Sequence, residues 1–212
     1  MNEFTGSTRE IEVKLDLGSF TNYLKLIGYL GQVEGEVRHQ NAFFDTEDGR
    51  LAGEGWVLRV RAENTRGLVT VKNRGTKVGV AHVRDEIEAE ISRGQALECL
   101  GLRSDVMSLP VVPIQFLRQS FGDDLQLAGM AKFENYRQTK SMNVGDVLLK
   151  LEIDRTEFTD GSVDYELEVE LPDTSQVEIA TDALRRLFAS LDIPFQRQPD
   201  SKLARARRRL GL

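Results

Sequence analysis

Apolar and charged residues alternate along much of this chain. In "REIEVKLDL", residues 9–17, Ile11, Val13 and Leu15 are interleaved with Glu10, Glu12 and Lys14. A period of two predicts a strand over about 8–16 with one buried face. The pattern returns in "WVLRVRAE", which puts Arg59 and Arg61 on one face, and in "LVTVKN", which sets Thr70 and Lys72 opposite Val69 and Val71. "HVRDEIEAEI" aligns Arg84, Glu86, Glu88 and Glu90 against Val83, Ile87 and Ile91. Later strands are predicted at "MAKFENYRQTK" (Asn135, Arg137), "DVLLKLEIDRTEF" (Lys150, Glu152, Asp154) and "VDYELEVEL" (Glu166, Glu168, Glu170). "RHQNAFFDTEDGRLAGEGWVLRVRAE" reads as strand, turn, strand, with "DTEDGR" supplying the turn chemistry. "LVTVKNRGTKVGVAHVRDEIEAEI" reads as two strands around a glycine-punctuated turn.

A different period marks the helices. "SFTNYLKLIGYL" spaces Phe20, Leu24, Ile27 and Leu30 along one helical face, with Ser19 as N-cap. "SRGQALECLGL" predicts a short helix. A longer one is expected around 175–191, with Leu184, Leu187, Phe188 and Leu191 on one face, and another around 200–209. Segment 104–128, with Pro110 and Pro113, shows no pattern beyond a helical "IQFLRQSF". About eight strands with helices between runs of them, joined by hairpin-length connections, predict an antiparallel α+β fold.

Composition narrows the chemistry. A chain of 212 residues that is 40% hydrophobic can bury one sizeable core. It has no apolar run of about 18 residues, so no transmembrane helix and no membrane partner are expected. The opening "MNEFTGSTRE" lacks the basic-then-apolar order of a secretory signal. The single cysteine, Cys99, allows no intrachain disulfide, and a reducing compartment, most simply the cytoplasm, follows. Its "ALECLGL" context predicts a buried structural thiol. A net charge of −6 argues against nucleic acid as the main partner. The exception is the tail "SKLARARRRL", whose cations suit the negative end of a solvated helix. With only two histidines, His39 and His82, a histidine-ligated zinc site and a Ser-His-Asp triad are poorly supported. No phosphate-cradling glycine motif occurs, so phosphate chemistry would need side chains.

One strand with a charged, solvated face is ordinary. Seven are not, because solvent faces normally mix signs and include many small hydroxyl residues. Here the signs are segregated. Glu10, Glu12, Glu166, Glu168 and Glu170 come from the first and last strands, and Arg59, Arg61, Lys72 and Arg137 from strands between. If the sheet closes on itself, these residues line its lumen. Clustered carboxylates then need cations, and clustered guanidiniums need an anion. A polyphosphate with divalent metal satisfies both.

The ordered segments "EIEVK", "NAFFDT", "LRVR", "VTVKN", "RDEIEAE", "FENYR", "LEIDRTEF" and "YELEVE" resemble those of the CYTH proteins, or triphosphate tunnel metalloenzymes, over nearly the whole chain. "FENYR", "YELEVE" and the closing "SKLARAR" are most similar to the plant and bacterial inorganic triphosphatases. The resemblance implies one domain over residues 1–212, a closed eight-stranded antiparallel β-barrel (a tunnel) with flanking helices. It implies hydrolysis of tripolyphosphate or thiamine triphosphate, removal of the γ-phosphate from RNA 5′ ends, or cyclisation of ATP, all with Mg²⁺ or Mn²⁺. It further implies that Glu10, Glu12, Glu166 and Glu168 hold metal, with Glu86, Glu88, Asp154 and Glu170 completing the acidic set. Lys14, Arg59, Arg61, Lys72, Arg84 and Arg137 would grip the triphosphate, joined by Lys202 from the C-terminal helix. Glu10, Lys14, Arg59 and Lys72 are the candidate catalytic residues, Glu10 positioning the attacking water. One departure stands out: many relatives carry K-x-R where this chain has Asn135 before Arg137.

The expected substrate is a small triphosphate, turned over by a monomer or homodimer. Tripolyphosphate is favoured because no aromatic-rich insert offers a base platform; Trp56, Phe43 and Phe44 read as barrel-wall residues. Thiamine triphosphatase and class IV-type adenylate cyclase are the alternative enzymes. A non-catalytic polyphosphate- or nucleotide-binding module is the alternative of another class, and its metal carboxylates would be eroded, whereas here they are intact.

Overall fold

A computed structural model describes residues 7–144 and 147–211. Asp146, which opens the predicted strand "DVLLK", and residues 1–6, most of the segment read for a signal, lie outside the described residues. The barrel is built from β1 (Thr8–Asp16), β2 (Gly35–Asp45), β3 (Trp56–Ala62), β4 (Arg66–Asn73), β6 (Ala81–Ser92), β7 (Ala128–Val144), β8 (Val147–Phe158) and β9 (Val163–Glu170). They pair antiparallel in the ring order β1-β9-β8-β7-β2-β3-β4-β6, and β6 closes onto β1 with Glu10 opposite Arg84 and Ile11 opposite Val83. Two short strands stand outside the ring. β5 (Thr76–Val78) pairs with β6, and β10 (Gln196–Arg197) continues the edge of β1 beyond β6.

Closure puts alternate residues of each strand inside, and most of the apolar set faces out. Two clusters cover that outer surface. Ile11, Val13 and Leu15 pack with β8 and β9 under α1 (Phe20–Leu30) and α5 (Val177–Ser190). Leu58, Val60, Val69, Val71 and Ile87 pack under α3 (Arg93–Leu100) and α4 (Val112–Phe121). The previously patternless segment 104–128 thus contributes α4 and buries Val106, Met107, Leu109 and Leu125 in the same cluster. Cys99 is buried in α3, and burial pushes its thiol pKa up. No helix among the described residues is long and apolar enough to cross a membrane.

The face of α1 differs from the sequence expectation. Ser19 does cap it, accepting from the Asn22 N–H at 3.2 Å. Of the expected face, Leu30 is buried and Ile27 packs partly buried against the core, but Phe20 and Leu24 are about half exposed, and Tyr23 and Leu26 are buried instead. Tyr23 decides the rotation: its hydroxyl donates to Gln138 Oε1 at 3.0 Å, and its ring packs against Tyr165.

The "DTEDGR" turn runs into a one-turn helix, α2 (Arg50–Gly53). Gly49 takes φ 72°, a conformation that costs glycine little. The buried Asp45 carboxylate accepts from the N–H groups of Thr46 (2.8 Å), Leu51 (2.8 Å) and Ala52 (3.0 Å). Asp45→Ala strands those donors, and the expected cost is about 1–3 kcal/mol. A urea midpoint equal to the wild-type value would show that the carboxylate does not organise this turn.

Candidate active site

The barrel lumen is a cavity of about 480 Å³. The exposure of its carboxylates falls along the strands. On β9 the side chains of Glu170, Glu168 and Glu166 are 53%, 7% and 1% exposed. On β8, Lys150, Glu152 and Asp154 fall from 55% to 15% to 0%. Solvent therefore enters beside Lys150 and Glu170. The opposite end is stoppered by Phe43, Phe133 and Phe158, packed against Ala206 and Leu203 of α6 (Lys202–Arg209).

The acidic side is not a bare wall. Glu10 receives Lys72 Nζ at 3.1 Å and Arg84 Nε at 2.5 Å. Burial would raise its pKa, but Lys72 and Arg84 overcome this and hold it well below the ordinary carboxylate range. Glu12 pairs with Arg84 and, at 3.2 Å, with Lys14. Lys14 also bonds Glu168, which Arg137 and Lys202 contact as well. Glu86 lies 2.5 Å from Lys72 Nζ. Glu88 accepts from Thr70 Oγ1 at 2.7 Å, with Arg59 at 3.6 Å. The segregation of sign read from the strands is thus undone by side chains reaching across, because charges in a confined volume draw their counter-charges close.

Asp154 and Glu166 lie behind this lining. Asp154 accepts a two-pronged contact from Arg137 (2.8 and 2.6 Å) and lies 2.8 Å from Lys202 Nζ. Burial opposes its ionisation, yet Arg137 and Lys202 hold its pKa well below the ordinary carboxylate range. Glu166 pairs with Lys202 and with Arg205 Nη2 at 2.6 Å. The tail is therefore not a solvated helix: Lys202 and Arg205 turn inward, and Arg209 pairs with Asp164 at 2.7 Å.

The opposite wall is cationic and less compensated. Arg61 donates to Asn41 Oδ1 at 2.9 Å and has a carboxylate, Glu63, only at 4.0 Å. Burial, with Arg59 and Arg137 nearby, pushes its pKa down to about 9. Burial and Arg59 likewise lower that of Lys72.

Glu10, Glu12, Lys14, Arg59, Arg61, Lys72, Arg84, Glu86, Glu88, Arg137, Glu168, Glu170 and Lys202 all line the one cavity, and Asp154 and Glu166 do not. Asn135 accepts from Thr156 Oγ1 at 2.8 Å and is buried. Phe43 faces the lumen rather than the outer layer, so one stretch of the cavity (Phe43, Val57, Phe133, Leu203) is apolar. Sequence reasoning placed Glu152 on a charged strand face but gave it no role; it contacts Arg137, and burial raises its pKa. It also missed His39 and Asn41, whose strand β2 mixes apolar and polar positions instead of alternating charges.

The donor set suits a hard divalent cation. Asp154, Glu166 and Glu168 bring carboxylate oxygens within 4.8 Å of one another, a grouping that could hold a metal ion. An ammonium stands among them here: Lys202 Nζ contacts all three. Nearer solvent, Glu10, Glu12, Glu168 and Glu170 offer oxygen donors directly to the lumen.

The model of the CYTH domain matches residues 8–197. A search of curated proteins finds no match. Among solved structures, a Hippeastrum protein first taken for an adenylyl cyclase and described as having a dominant triphosphatase activity is 26% identical. The alignment covers 94% of this chain and 95% of that one, with a TM-score of 0.75. A Bacillus halodurans protein described as an adenylate cyclase candidate is 23% identical, with 95% and 98% covered and a TM-score of 0.70. The Pyrococcus horikoshii protein PH1819 shares the fold at 15% identity, with 93% and 99% covered and a TM-score of 0.59.

The ammonium among the three carboxylates generates a test. Lys202→Met removes it while keeping an unbranched side chain, and breaking a buried pair in this way costs about 3–5 kcal/mol. The variant is expected to melt well below wild type in EDTA and to recover part of the loss when Mg²⁺ or Mn²⁺ is added. A wild-type melting temperature in EDTA would mean that Lys202 does not hold the three carboxylates together.

Proposed function

This chain belongs to the CYTH domain family, and from that membership and the charge layout of the lumen we propose that it hydrolyses inorganic tripolyphosphate with Mg²⁺ or Mn²⁺. The observation that carries this reading is the pair of under-compensated guanidiniums, Arg59 and Arg61, whose carboxylates lie only at 3.6 and 4.0 Å on a cavity that carboxylates line as well. Guanidiniums that repel one another across a buried surface are relieved by an anion with several oxygens. A cavity of about 480 Å³ falls in the range of small-ligand sites. The Hippeastrum relative's dominant triphosphatase activity supports the same direction.

In the proposed reaction water attacks the terminal phosphorus in line with the bridging oxygen. That P–O bond breaks, giving orthophosphate and pyrophosphate. Arg59, Arg61, Lys72, Arg84 and Arg137 hold non-bridging oxygens and offset the charge that builds on them. Lys14 contributes from β1, next to Glu168. Glu10 positions the attacking water once the substrate draws Lys72 and Arg84 away from it. Glu10, Glu12, Glu168 and Glu170 would hold the metal, with Glu86 and Glu88 extending the acidic lining. When bound, the ion neutralises phosphate oxygens and makes a nearby water more acidic. Asp154 and Glu166 act indirectly, by seating Lys202. The lone, buried thiol of Cys99 supports a reducing compartment, most simply the cytoplasm.

A second reading has its own observation. The apolar stretch of Phe43, Val57, Phe133 and Leu203 inside the cavity offers a place for an organic group, as in thiamine triphosphate or ATP. A phosphate-release panel over tripolyphosphate, thiamine triphosphate, ATP and long-chain polyphosphate decides, run with each metal and with cyclic AMP assayed on the ATP arm. A kcat/KM about tenfold or more in favour of an organic triphosphate would replace the first reading with the second.

Two variants test the assignment of residues. Glu168→Gln keeps shape and removes charge, so turnover is expected to collapse with the fold intact; undiminished turnover in the variant, or in excess EDTA, rules out the metal role. Arg59→Ala removes a charge-assisted contact worth about 1.5–3 kcal/mol, so kcat/KM should fall roughly ten- to hundredfold. An unchanged kcat/KM would mean that this guanidinium does not touch the phosphates.

A further inference from the structure

Arg59, Thr70 and Glu88 form one row across three neighbouring strands. Arg59 of β3 lies directly opposite Thr70 of β4, and Thr70 lies opposite Glu88 of β6. Arg59 and Glu88 both line the cavity, whereas Thr70 between them is completely buried. Its hydroxyl serves both neighbours. It accepts from Arg59 Nη2 at 3.1 Å and donates to Glu88 Oε2 at 2.7 Å. A hydroxyl carries one donor and two lone pairs, so it makes both bonds at once. Arg59 Nη2 and Glu88 Oε2 themselves stand 3.6 Å apart, beyond the roughly 2.7–2.9 Å of a charge-assisted hydrogen bond. Two opposite charges within reach of each other are thus both engaged by a neutral group.

The rows on either side show what that position controls. In one, Lys72 occupies the β4 position opposite the uncharged Val57 and pairs directly with Glu86. In the other, Leu68 separates Arg61 from Glu90. There Glu90 pairs with Arg66 at 3.1 Å, and Arg61 donates to the Asn41 amide oxygen at 2.9 Å. Arg84 and Arg137 are held differently: Arg84 contacts Glu10 and Glu12, and Arg137 contacts Glu152, Asp154 and Glu168. The two arginines of β3 are therefore the ones that rest on neutral acceptors. Such an acceptor fixes the direction of a guanidinium without cancelling its charge, which a carboxylate would do.

We infer that Thr70 is a positioning residue, whose hydroxyl keeps Arg59 and Glu88 from pairing and so leaves the Arg59 guanidinium available to a phosphate oxygen. Thr70 touches no substrate and acts through Arg59. Without the hydroxyl, the guanidinium and the carboxylate would close on each other, and an entering anion would have to break their ion pair to reach Arg59. This deepens the triphosphatase reading and rests on it.

The test is a double-mutant cycle on the binding of inorganic tripolyphosphate, read by calorimetry in EDTA so that neither turnover nor metal contributes. Thr70→Val deletes the hydroxyl and keeps a β-branched side chain suited to a strand, whereas Thr70→Ser keeps the hydroxyl. Thr70→Val is expected to weaken binding about tenfold, and Thr70→Ser to stay within about twofold of wild type. In a Glu88→Gln background no carboxylate is left to capture Arg59, so the same Thr70→Val change is expected to have little effect. A hydroxyl that merely supports the fold would weaken binding equally in both backgrounds. The same cycle on kcat/KM with Mg²⁺ is a second reading with the same expected pattern. Equal losses in the two backgrounds, or no loss in either, overturn this inference and leave the triphosphatase reading standing. If the wild-type protein neither binds nor hydrolyses tripolyphosphate, both fall.

Discussion

A closed barrel whose inner face carries ionised side chains can exist only if most of those charges find their opposites within the lumen. Desolvating an unpaired carboxylate or ammonium costs several kcal/mol even after relaxation, more than any single apolar contact on the outer face returns. That constraint explains the traffic of side chains across the barrel. Lys72 of β4 reaches Glu10 of β1, Arg137 of β7 reaches Glu168 of β9, and Lys202 crosses from α6 to Asp154, Glu166 and Glu168. It also explains why the apolar core lies outside the barrel, between strands and helices, where Val13, Leu167 and Val169 meet Leu184 and Phe188.

Such a network is poor at adding stability and good at specifying geometry. Ion pairs taken out of water roughly break even against apolar packing, but breaking one is costly. Each pair therefore fixes a rotamer without contributing much to the folded state, and the outer clusters supply the stabilisation. The arrangement also leaves the lumen ready to exchange partners. An anion entering among Arg59, Arg61 and Lys72 replaces the contacts it disturbs with others of the same kind.

Much of this was legible in the residues because the period of a strand is so short. With Ile11, Val13 and Leu15 apolar, Glu10, Glu12 and Lys14 must share the opposite face, and closure of the ring turns that face into a lumen. What could not be read was reach. Alternation says which face a side chain leaves from, not how far it extends, so the carboxylate and guanidinium sides looked separate. Lys202 was marked out only by the family resemblance, while Arg205 sat in a run of cations that any solvated helix could carry, and only docking of α6 distinguishes it from the exposed Arg208. The face of α1 was misread for a related reason. Leu30 and the partly buried Ile27 do face the core, but apolar spacing could be completed by Phe20 and Leu24 or by Tyr23 and Leu26, and the structure buries the second pair, with the Tyr23 hydroxyl on Gln138. His39 and Asn41 drew no site assignment because the lumen was read from formal charge, and Asn41 enters only through its contact with Arg61.

The compensation is graded with depth, and the grading separates structural charges from exchangeable ones. At the mouth, Glu170 contacts one cation, Lys150, and both side chains remain more than half exposed. One step further in along β9, Glu168 is surrounded by Lys14, Arg137 and Lys202. At the closed end, Glu166 is locked between Lys202 and Arg205 with almost no exposure. Screening by water weakens each interaction near the mouth and is lost at depth, so the same pair binds more tightly the deeper it sits. Charges near solvent can trade a protein partner for a phosphate or a metal at little cost, whereas those under α6 cannot move without unseating the helix. The exchangeable charges are thereby confined to the stretch between the solvent-exposed mouth and a closed end held by Lys202 and the packed rings of Phe43, Phe133 and Phe158.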